Sequence, residues 1–289
     1  MGQNWSRVSA PYYRATEGFA EWITQENVVI FASGPSLAKY TGKINQLNAN
    51  SIIVATPTNV PWLQDEGVRI DMVVIADSHP GMATKLKGYE GPIICPPTIA
   101  PEVTMLPNDI FWYKLLMGNG QGNDPFYGFW NMIQHGMFEK IEYGFNAENG
   151  CVTNMALAIV YDMMRSRHLL CKRIILAGAD YAYTEGWARI ESTLRPKPLD
   201  IDAMEYLGYH TNSRMVFYKH RLIQLWEQLK GIDIYSMSEG IITEIPEVTL
   251  DDILAKTYPA QPTDKERTAL VETHTNLFLD EFGEKLEDK

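Results

Sequence analysis

Cysteine is scarce in this chain, which has only three in 289 residues, Cys95, Cys151 and Cys171. An odd number at such wide spacing matches neither a disulfide framework nor the paired ligands of a zinc site. The sequence therefore predicts reduced thiols in a cytoplasmic protein, and it predicts no metal site.

Basic side chains are also in the minority, with 25 Lys and Arg against 36 Asp and Glu and a net charge of −11. Without a cluster of Lys and Arg, a nucleic-acid partner is not expected. Long apolar runs are missing too, so no membrane span is expected. The remaining composition, 45% hydrophobic and 21% charged residues, is typical of a globular protein with an ample core.

The stretch Val28–Ser36 carries the clearest local pattern. Its apolar, β-branched run predicts a buried strand, and Gly34 allows a tight turn or the close approach of a ligand. Pro35 and Ser36 suit the start of a helix, with Ser36 as its cap. A strand, a glycine turn and a helix start together predict an anion site, because free N–H groups and the helix dipole favour phosphate. An ordinary strand–helix turn is the alternative.

Strands and helices alternate along the rest of the chain. The predicted strands are Val28–Ala32, Ser51–Ala55, Met72–Ala76, Ile93–Cys95, Ile110–Tyr113, Arg173–Ala177 and Ile232–Tyr235. This pattern predicts an α/β, Rossmann-like fold with a mainly parallel sheet and helices on both faces. The expected domains are a helical lead-in (1–27), a nucleotide-binding domain (28–257, with a lid at 187–209) and a linker with an amphipathic C-terminal helix (258–289).

Polar residues follow the first three predicted strands, in the segments 34–36, 56–59 and 77–79. Ligands of open parallel sheets bind outside the carboxyl ends of the strands. We therefore expect these three segments to converge on one crevice.

A buried helix is predicted within residues 150–165, where Gly150 precedes the helix and Thr153 or Asn154 can cap it. The start of this helix is a second candidate anion or hydroxyl site. The glycine-rich segment 118–128 is expected to be a loop near the site.

Several segments resemble one family. Residues 31–37, Phe-Ala-Ser-Gly-Pro-Ser-Leu, resemble the Gly-Pro-Ser-Leu signature of the 6-hydroxymethylpterin diphosphokinase MptE-like superfamily, which includes the bacterial motility accessory factors (Maf), a group of flagellin glycosyltransferases. Residues 150–156 and 174–183 resemble the Maf core, and 235–240 resembles its closing segment. Bacterial sialyltransferases that use CMP-sialic acid show the same order of elements.

This resemblance implies a transferase that moves a sugar from a nucleotide donor, here a CMP-linked acidic sugar, to an unknown acceptor. It implies His210 as the general base and Tyr183 as a hydrogen-bond donor to the leaving phosphate. The implied nucleotide-binding residues are Ser33, Gly34, Pro35, Ser36, Asn59, Asp77, Gly150, Thr153, Asn154, Asp180 and Ser238.

Each of these roles has a structural alternative. His210 could be a helix cap, Tyr183 could serve packing, and Asp180 could tie down the neighbouring turn. His79 is a second candidate base.

Two other functions stay open at this point. One is an MptE-like diphosphokinase that acts with ATP and Mg²⁺ on a pterin or another alcohol. The Asp-Leu-Asp-Gly and His-Gly-Asp-Asn elements of that branch are absent, and residues 75–80 stand where the first would be. The other is a non-catalytic nucleotide-binding or assembly protein. No cofactor is expected beyond the nucleotide donor itself.

The segment 263–289 predicts an amphipathic helix in which Val271, Phe278, Phe282 and Leu286 share one face. A single amphipathic helix must bury such a face, either on its own domain or on a neighbouring subunit. Because prolines bound the preceding linker, the favoured hypothesis is a homo-oligomer that forms through this helix.

Overall fold

The computed structural model describes residues 25–96, 99–116, 144–146, 151–165, 170–183 and 204–287. Its strands are β1 (Asn27–Phe31), β2 (Ser51–Ala55), β3 (Met72–Val74), β4 (Ile93–Cys95), β5 (Ile110–Trp112), β6 (Lys114–Leu116), β7 (Gly144–Asn146), β8 (Arg173–Ala177), β9 (Met204–Tyr206), β10 (Tyr209–Thr211) and β11 (Asp233–Met237). Its α-helices are α1 (Val60–Asp65), α2 (Gly81–Lys85), α3 (Pro101–Thr104), α4 (Val152–Arg165), α5 (Ser213–Gln228), α6 (Leu250–Ala255) and α7 (Asp264–Glu287). Short 3₁₀ helices span Pro35–Tyr40, Ile44–Ala49 and Pro57–Asn59.

A seven-stranded parallel sheet in the order β11-β8-β1-β2-β3-β4-β5 forms the centre of the molecule. Val28 of β1 pairs with Ile52 of β2 on one side and with Ile174 of β8 on the other. From β1 the chain adds β2 to β5 in one direction, and β8 and β11 in the other. The strand order therefore reverses at β1, which places the turns after β1 and β8 side by side.

Alternate residues of the central strands supply the two faces of the sheet. Val28 and Ile30 belong to a core with residues of α4 and α5, whereas Val29 and Phe31 belong to a second core with residues of the 3₁₀ helices, α1 and α6. Strands covered on both faces read as continuous apolar runs, as β1 does. The predicted α/β fold, with a parallel sheet and helices on both faces, is confirmed.

Both predicted helix caps are wrong. The segment Pro35–Tyr40 is a 3₁₀ helix with Gly34 at its N-cap position and no side-chain cap, so Ser36 lies inside it. Helix α4 begins at Val152, which puts Thr153 and Asn154 inside its first turn.

Helix α7 packs on its own domain. The side chains of Val271, Phe278 and Phe282 are buried, and the ring of Phe278 stacks on His220 of α5 with ring centroids 4.0 Å apart. The contact with a neighbouring subunit that was favoured for this face is therefore wrong for these three residues, because α5 and its neighbours already cover them. A homo-oligomer stays a prediction. The alternative, burial on the same domain, is confirmed for these three residues.

Other predictions fall outside the described residues. These are nearly all of the lead-in, the glycine-rich segment 118–128, Gly150 and most of the lid. The end of the predicted lid forms the antiparallel hairpin of β9 and β10. Within the described ranges, no helix is both long enough and apolar enough to cross a membrane.

Candidate functional site

Hydrogen bonds join the turns that follow β1 and β8. The N–H of Gly34 donates to the carbonyl oxygen of Gly178 at 2.7 Å. Ser36 donates twice to the carboxylate of Asp180, from its backbone N–H at 2.8 Å and from its hydroxyl at 2.5 Å. Asp180 is buried, so these bonds help to satisfy its oxygens. The alternative in which Asp180 ties down the neighbouring turn is confirmed.

The same contacts limit what Ser36 can bind. Burial raises the pKa of Asp180 to about 6, although the two Ser36 donors act in the opposite direction. Above that pH the ionised carboxylate accepts both bonds. A phosphate at Ser36 would have to displace this carboxylate, because both donors already have an acceptor. The phosphate-binding role of Gly34, Pro35 and Ser36 stays a prediction.

Gly34 is required by the close approach of the two turns. Its φ of −64° suits any residue, but a Cβ there would lie 2.3 Å from the carbonyl oxygen of Gly178 and 2.4 Å from Cγ of Asp180. Gly240, which follows β11, is required for the same reason, because a Cβ at this position would lie 2.0 Å from the carbonyl oxygen of Asp180. Contacts within the protein therefore account for Gly34 without a ligand.

Two predicted binding residues use their polar groups inside the protein. The hydroxyl of Ser238 accepts the N–H of Ala179 at 2.7 Å, which joins the segment after β11 to the end of β8. The fully buried Asn59 donates from Nδ2 to the carbonyl oxygen of Phe31 at 2.6 Å. Both side chains thus hold strand ends in place, and their nucleotide-binding roles stay predictions.

Asn154 has a similar internal role. Its Nδ2 donates to the carbonyl oxygen of Tyr218 at 3.0 Å, and its Oδ1 accepts the hydroxyl of Tyr181 at 2.7 Å. These bonds connect α4 to α5 and to the segment after β8.

A crevice of about 150 Å³ opens at the carboxyl ends of β1, β2 and β3. Its lining residues are Ser33, Thr56, Pro57, Thr58, Ile75, Ala76, Asp77, Met82, Lys85, Val152 and Thr153. The structure thus brings together three of the predicted site residues, Ser33, Asp77 and Thr153. The predicted convergence of the three polar segments is confirmed only in part, because 56–59 and 77–79 contribute to the lining, whereas 34–36 does not and only the preceding Ser33 reaches it.

Lys85 is a charged residue of the crevice that the sequence did not reveal. It is the last residue of α2, is half-buried, and donates from Nζ to the hydroxyl oxygen of Thr58 at 2.9 Å. The prediction stopped at the polar residues directly after β3, whereas Lys85 lies one short helix further on. The sequence indicates Lys85 only as a basic residue at the end of that short helix, a position that cations favour in any helix.

Tyr183 and His210 are neighbours, but neither lines the crevice. The N–H of Tyr183 donates to the carbonyl oxygen of His210 at 2.7 Å, across an isolated antiparallel bridge. Tyr183 is buried and its hydroxyl accepts Nδ2 of Asn212 at 2.6 Å, while His210 is exposed on β10. Their catalytic roles stay predictions.

The helix-cap alternative for His210 is wrong. Asn212 caps α5, because its Oδ1 accepts the N–H of Met215 at 2.8 Å. His79, the second candidate base, is exposed and lies two residues after Asp77, which lines the crevice. Its Nδ1 accepts the N–H of Gly81 at 3.0 Å, and its own N–H donates to Asp77 at 3.0 Å.

A larger groove, of about 920 Å³, lies between the segment after β11 and α7. The acidic side chains in its lining are Glu239, Glu244, Glu247 and Glu266. Glu244 is paired with the buried Lys219 at 2.8 Å and with Nδ1 of His274 at 3.2 Å. This groove shares only Ser238 with the predicted site, so the crevice is the better candidate despite its smaller size.

The fold is similar to that of a solved glycosyltransferase. The MAf glycosyltransferase from Magnetospirillum magneticum AMB-1 aligns with a TM-score of 0.57 at 16% sequence identity, over 89% of this chain and 39% of that one. The chain thus spans about two fifths of the length of that enzyme. At this identity the likeness shows the fold alone.

The comparison with curated proteins finds no match. A family model described as 6-hydroxymethylpterin diphosphokinase MptE-like matches residues 9–186, more than half of the chain. The family is named for a diphosphokinase, which is a transferase, and this supports a transferase-like function. By this match the chain belongs to the 6-hydroxymethylpterin diphosphokinase MptE-like family.

Proposed function

We propose that this protein is a glycosyltransferase that binds a nucleotide-activated donor, a CMP-linked acidic sugar, at the crevice. The observation that supports the proposal is the crevice itself. It lies at the carboxyl ends of three parallel strands, where ligands of such sheets bind, and its lining combines the hydroxyls of Ser33, Thr56 and Thr153 with the carboxylate of Asp77.

The crevice suits the ribose phosphate part of a nucleotide. A carboxylate such as that of Asp77 can accept the two ribose hydroxyls as hydrogen-bond donors, as acidic residues do in other dinucleotide sites. Its volume of about 150 Å³ is below the roughly 300–1,000 Å³ of pockets that enclose a whole ligand. We therefore place only the ribose and phosphate there, with the base and sugar outside it.

The proposed reaction is a displacement at the anomeric carbon of the sugar. A hydroxyl oxygen of the acceptor forms a bond to that carbon, and the bond from the carbon to the phosphate oxygen of CMP breaks. The acceptor proton passes to a base, for which His210 is the prediction. The leaving phosphate keeps the electron pair of the broken bond. Tyr183, the donor predicted from the sequence, does not line the crevice, so the hydroxyls of Ser33 and Thr153 in its lining are the better placed donors.

A thermal-shift titration with CMP, CDP, UDP, GDP and ATP tests the donor class. A specific ligand stabilises the folded protein by RT ln(1 + [L]/Kd), which is about 2.7 kcal/mol at a hundredfold excess over Kd. This stabilisation raises the melting temperature. We expect a saturable shift with CMP. A shift with ATP and Mg²⁺ alone would favour diphosphoryl transfer, which the name of the family also supports.

Turnover tests the catalytic step. With a CMP-sugar donor, His210→Ala should lower the release of CMP by roughly 10²–10⁴-fold while the donor Kd stays unchanged. His79→Ala is the matched variant, and a loss confined to it would move the base to His79. Nucleotide binding without turnover in the unmodified protein, together with no effect of either variant, would favour a non-catalytic binding protein.

A further inference from the structure

Tyr181, in the segment after β8, has a backbone conformation that its local structure does not explain. Its φ is +48°, in the left-handed region that is uncommon for residues with a bulky side chain. Among the described residues, Leu207 and Lys256 are the other non-glycine residues with a positive φ. Lys256 is the left-handed C-cap of α6, and Leu207 lies with Gly208 in the two-residue turn between β9 and β10. Tyr181 is in neither kind of turn, and such strain, of order 1–3 kcal/mol, is most common at functional sites.

Hydrogen bonds on both sides of Tyr181 hold this conformation. The carbonyl oxygen of Asp180 accepts the N–H of Ile241 at 3.1 Å. The carbonyl oxygen of Tyr181 accepts the hydroxyl of the fully buried Thr211 at 2.7 Å. These bonds join the backbone around Tyr181 to the segment after β11 and to β10. The conformation is therefore imposed by elements outside its own segment.

The phenol of Tyr181 reaches the start of α4, beside the crevice. Its hydroxyl donates to Oδ1 of Asn154 at 2.7 Å and lies 3.6 Å from Sγ of Cys151. Cys151 and Asn154 flank Val152 and Thr153, and both of these flanked residues belong to the described lining of the crevice. One hydroxyl group therefore contacts the chain on either side of the part of α4 that lines the crevice.

We infer that Tyr181 is a positioning residue, whose hydroxyl fixes the first turn of α4 so that the hydroxyl of Thr153 meets the phosphate of the bound nucleotide. This inference rests on the proposed function, in which Thr153 donates to that phosphate. The first turn of a helix needs such support, because its N–H groups have no partners within the helix. Tyr181 is not part of the described lining, so it acts through Thr153 and not on the ligand.

The same helix offers a matched control. The hydroxyl of Tyr161, also in α4, donates to the carbonyl oxygen of Lys230 at 3.0 Å. Tyr161 is not part of the described lining of the crevice. Tyr181→Phe and Tyr161→Phe each remove one hydroxyl that links α4 to a neighbouring segment. They differ in whether the link is made at the crevice.

The experiment compares a ligand that carries the phosphate with one that lacks it. Isothermal titration measures the Kd of CMP and of cytidine for the unmodified protein, Tyr181→Phe, Tyr161→Phe, Thr153→Val and the double variant of Tyr181→Phe with Thr153→Val. If the thermal-shift titration identifies another nucleotide, its monophosphate and nucleoside replace this pair. We expect Tyr181→Phe to weaken CMP by roughly 3- to 10-fold, the equivalent of one hydrogen bond, and to leave cytidine within about twofold. Tyr161→Phe should change neither Kd.

The double variant separates positioning from a general loosening of the fold. Thr153→Val alone should weaken CMP and leave cytidine unchanged, because it removes the donor to the phosphate. If Tyr181 acts through Thr153, adding Tyr181→Phe to Thr153→Val should weaken CMP by less than about twofold. Two independent effects would multiply instead.

The possible failures can be told apart. Equal loss of CMP and cytidine in Tyr181→Phe, unchanged CMP binding in Tyr181→Phe or Thr153→Val, or losses that multiply in the double variant would overturn the positioning role while the proposed function stands. No binding of any nucleotide to the unmodified protein would overturn both. A melting temperature of Tyr181→Phe near that of Tyr161→Phe shows that a loss of affinity is not a loss of fold.

Discussion

Replacing Gly34 with alanine should force apart the turns after β1 and β8. The new Cβ would lie 2.3 Å from the carbonyl oxygen of Gly178, whereas ordinary contact begins at 3.4 Å, so the turns must separate by roughly 1 Å. That shift would stretch the Ser36–Asp180 bonds, now 2.8 and 2.5 Å, beyond hydrogen-bonding distance.

The expected cost has two parts. Overpacking costs roughly 1–3 kcal/mol, and each hydrogen bond to a charged group contributes roughly 1.5–3 kcal/mol. Because the turns can relax in part, we expect Gly34→Ala to lower the free energy of unfolding by about 3–6 kcal/mol. For a chain of this size that corresponds to a fall in melting temperature of roughly 6–20 °C.

Urea unfolding, followed by circular dichroism, measures this change, and Gly42→Ala is the control. Gly42 has a φ of +77° and nothing within 4 Å of a built Cβ, so alanine there costs only the backbone strain of about 1–2 kcal/mol. If Gly34→Ala costs no more than Gly42→Ala, the contact between the turns is not the reason for the glycine. A stable Gly34→Val variant without nucleotide binding would instead support the sequence-based interpretation, in which the ligand requires the glycine.

The remaining predictions concern the polar cluster under α7. Burial, with the nearby charge of His274, lowers the pKa of His220 to about 4, so stability should fall as pH drops from about 6.5 towards 4. His220→Phe should reduce this pH-dependent loss in the free energy of unfolding, measured by urea unfolding, by about 1–2 kcal/mol, which is less than the full linkage value because of solvent screening. An unchanged pH dependence would contradict this prediction. Burial acts to raise the pKa of Glu244, but His274 and Lys219 lower it to about 2. Stability should therefore also fall between about pH 4.5 and 2, and Glu244→Gln should unfold more readily at pH 7, because it leaves the Lys219 charge buried without its partner.

The strands were the most predictable part of the fold. The bounds of β2, β4 and β8 agree with the prediction, because buried parallel strands are apolar on both faces and end at polar or small residues. Helix starts were less predictable, since Ser36 is a good cap by local preference and the tertiary structure uses its hydroxyl for Asp180 instead. Local preference could not reveal that partner, which lies 144 residues away.

Two of the three predicted residues that line the crevice follow a strand directly, whereas Thr153 was predicted from the start of a helix. Asp77 and Ser33 come just after predicted strands, and the topology of the sheet brings them together. Lys85 lies beyond a short helix, and no periodicity indicates which way its side chain points. For α7, the sequence showed the buried face but not its partner, because an apolar stripe matches α5 of the same chain and a second subunit equally well.

The contacts at the strand-order reversal explain why we place the nucleotide in the crevice rather than at Ser36. In Rossmann-like folds the turn after the first strand is the expected phosphate site. Here the donors of that turn already bind Asp180, and glycine backbones on both sides leave no room for even a Cβ. The neighbouring crevice combines hydroxyl groups with the ammonium group of Lys85. A nucleotide at the reversal point would have to compete with Asp180 for the donors of Ser36, whereas the crevice beside β2 and β3 offers the hydroxyls of Ser33 and Thr153 outside that contact.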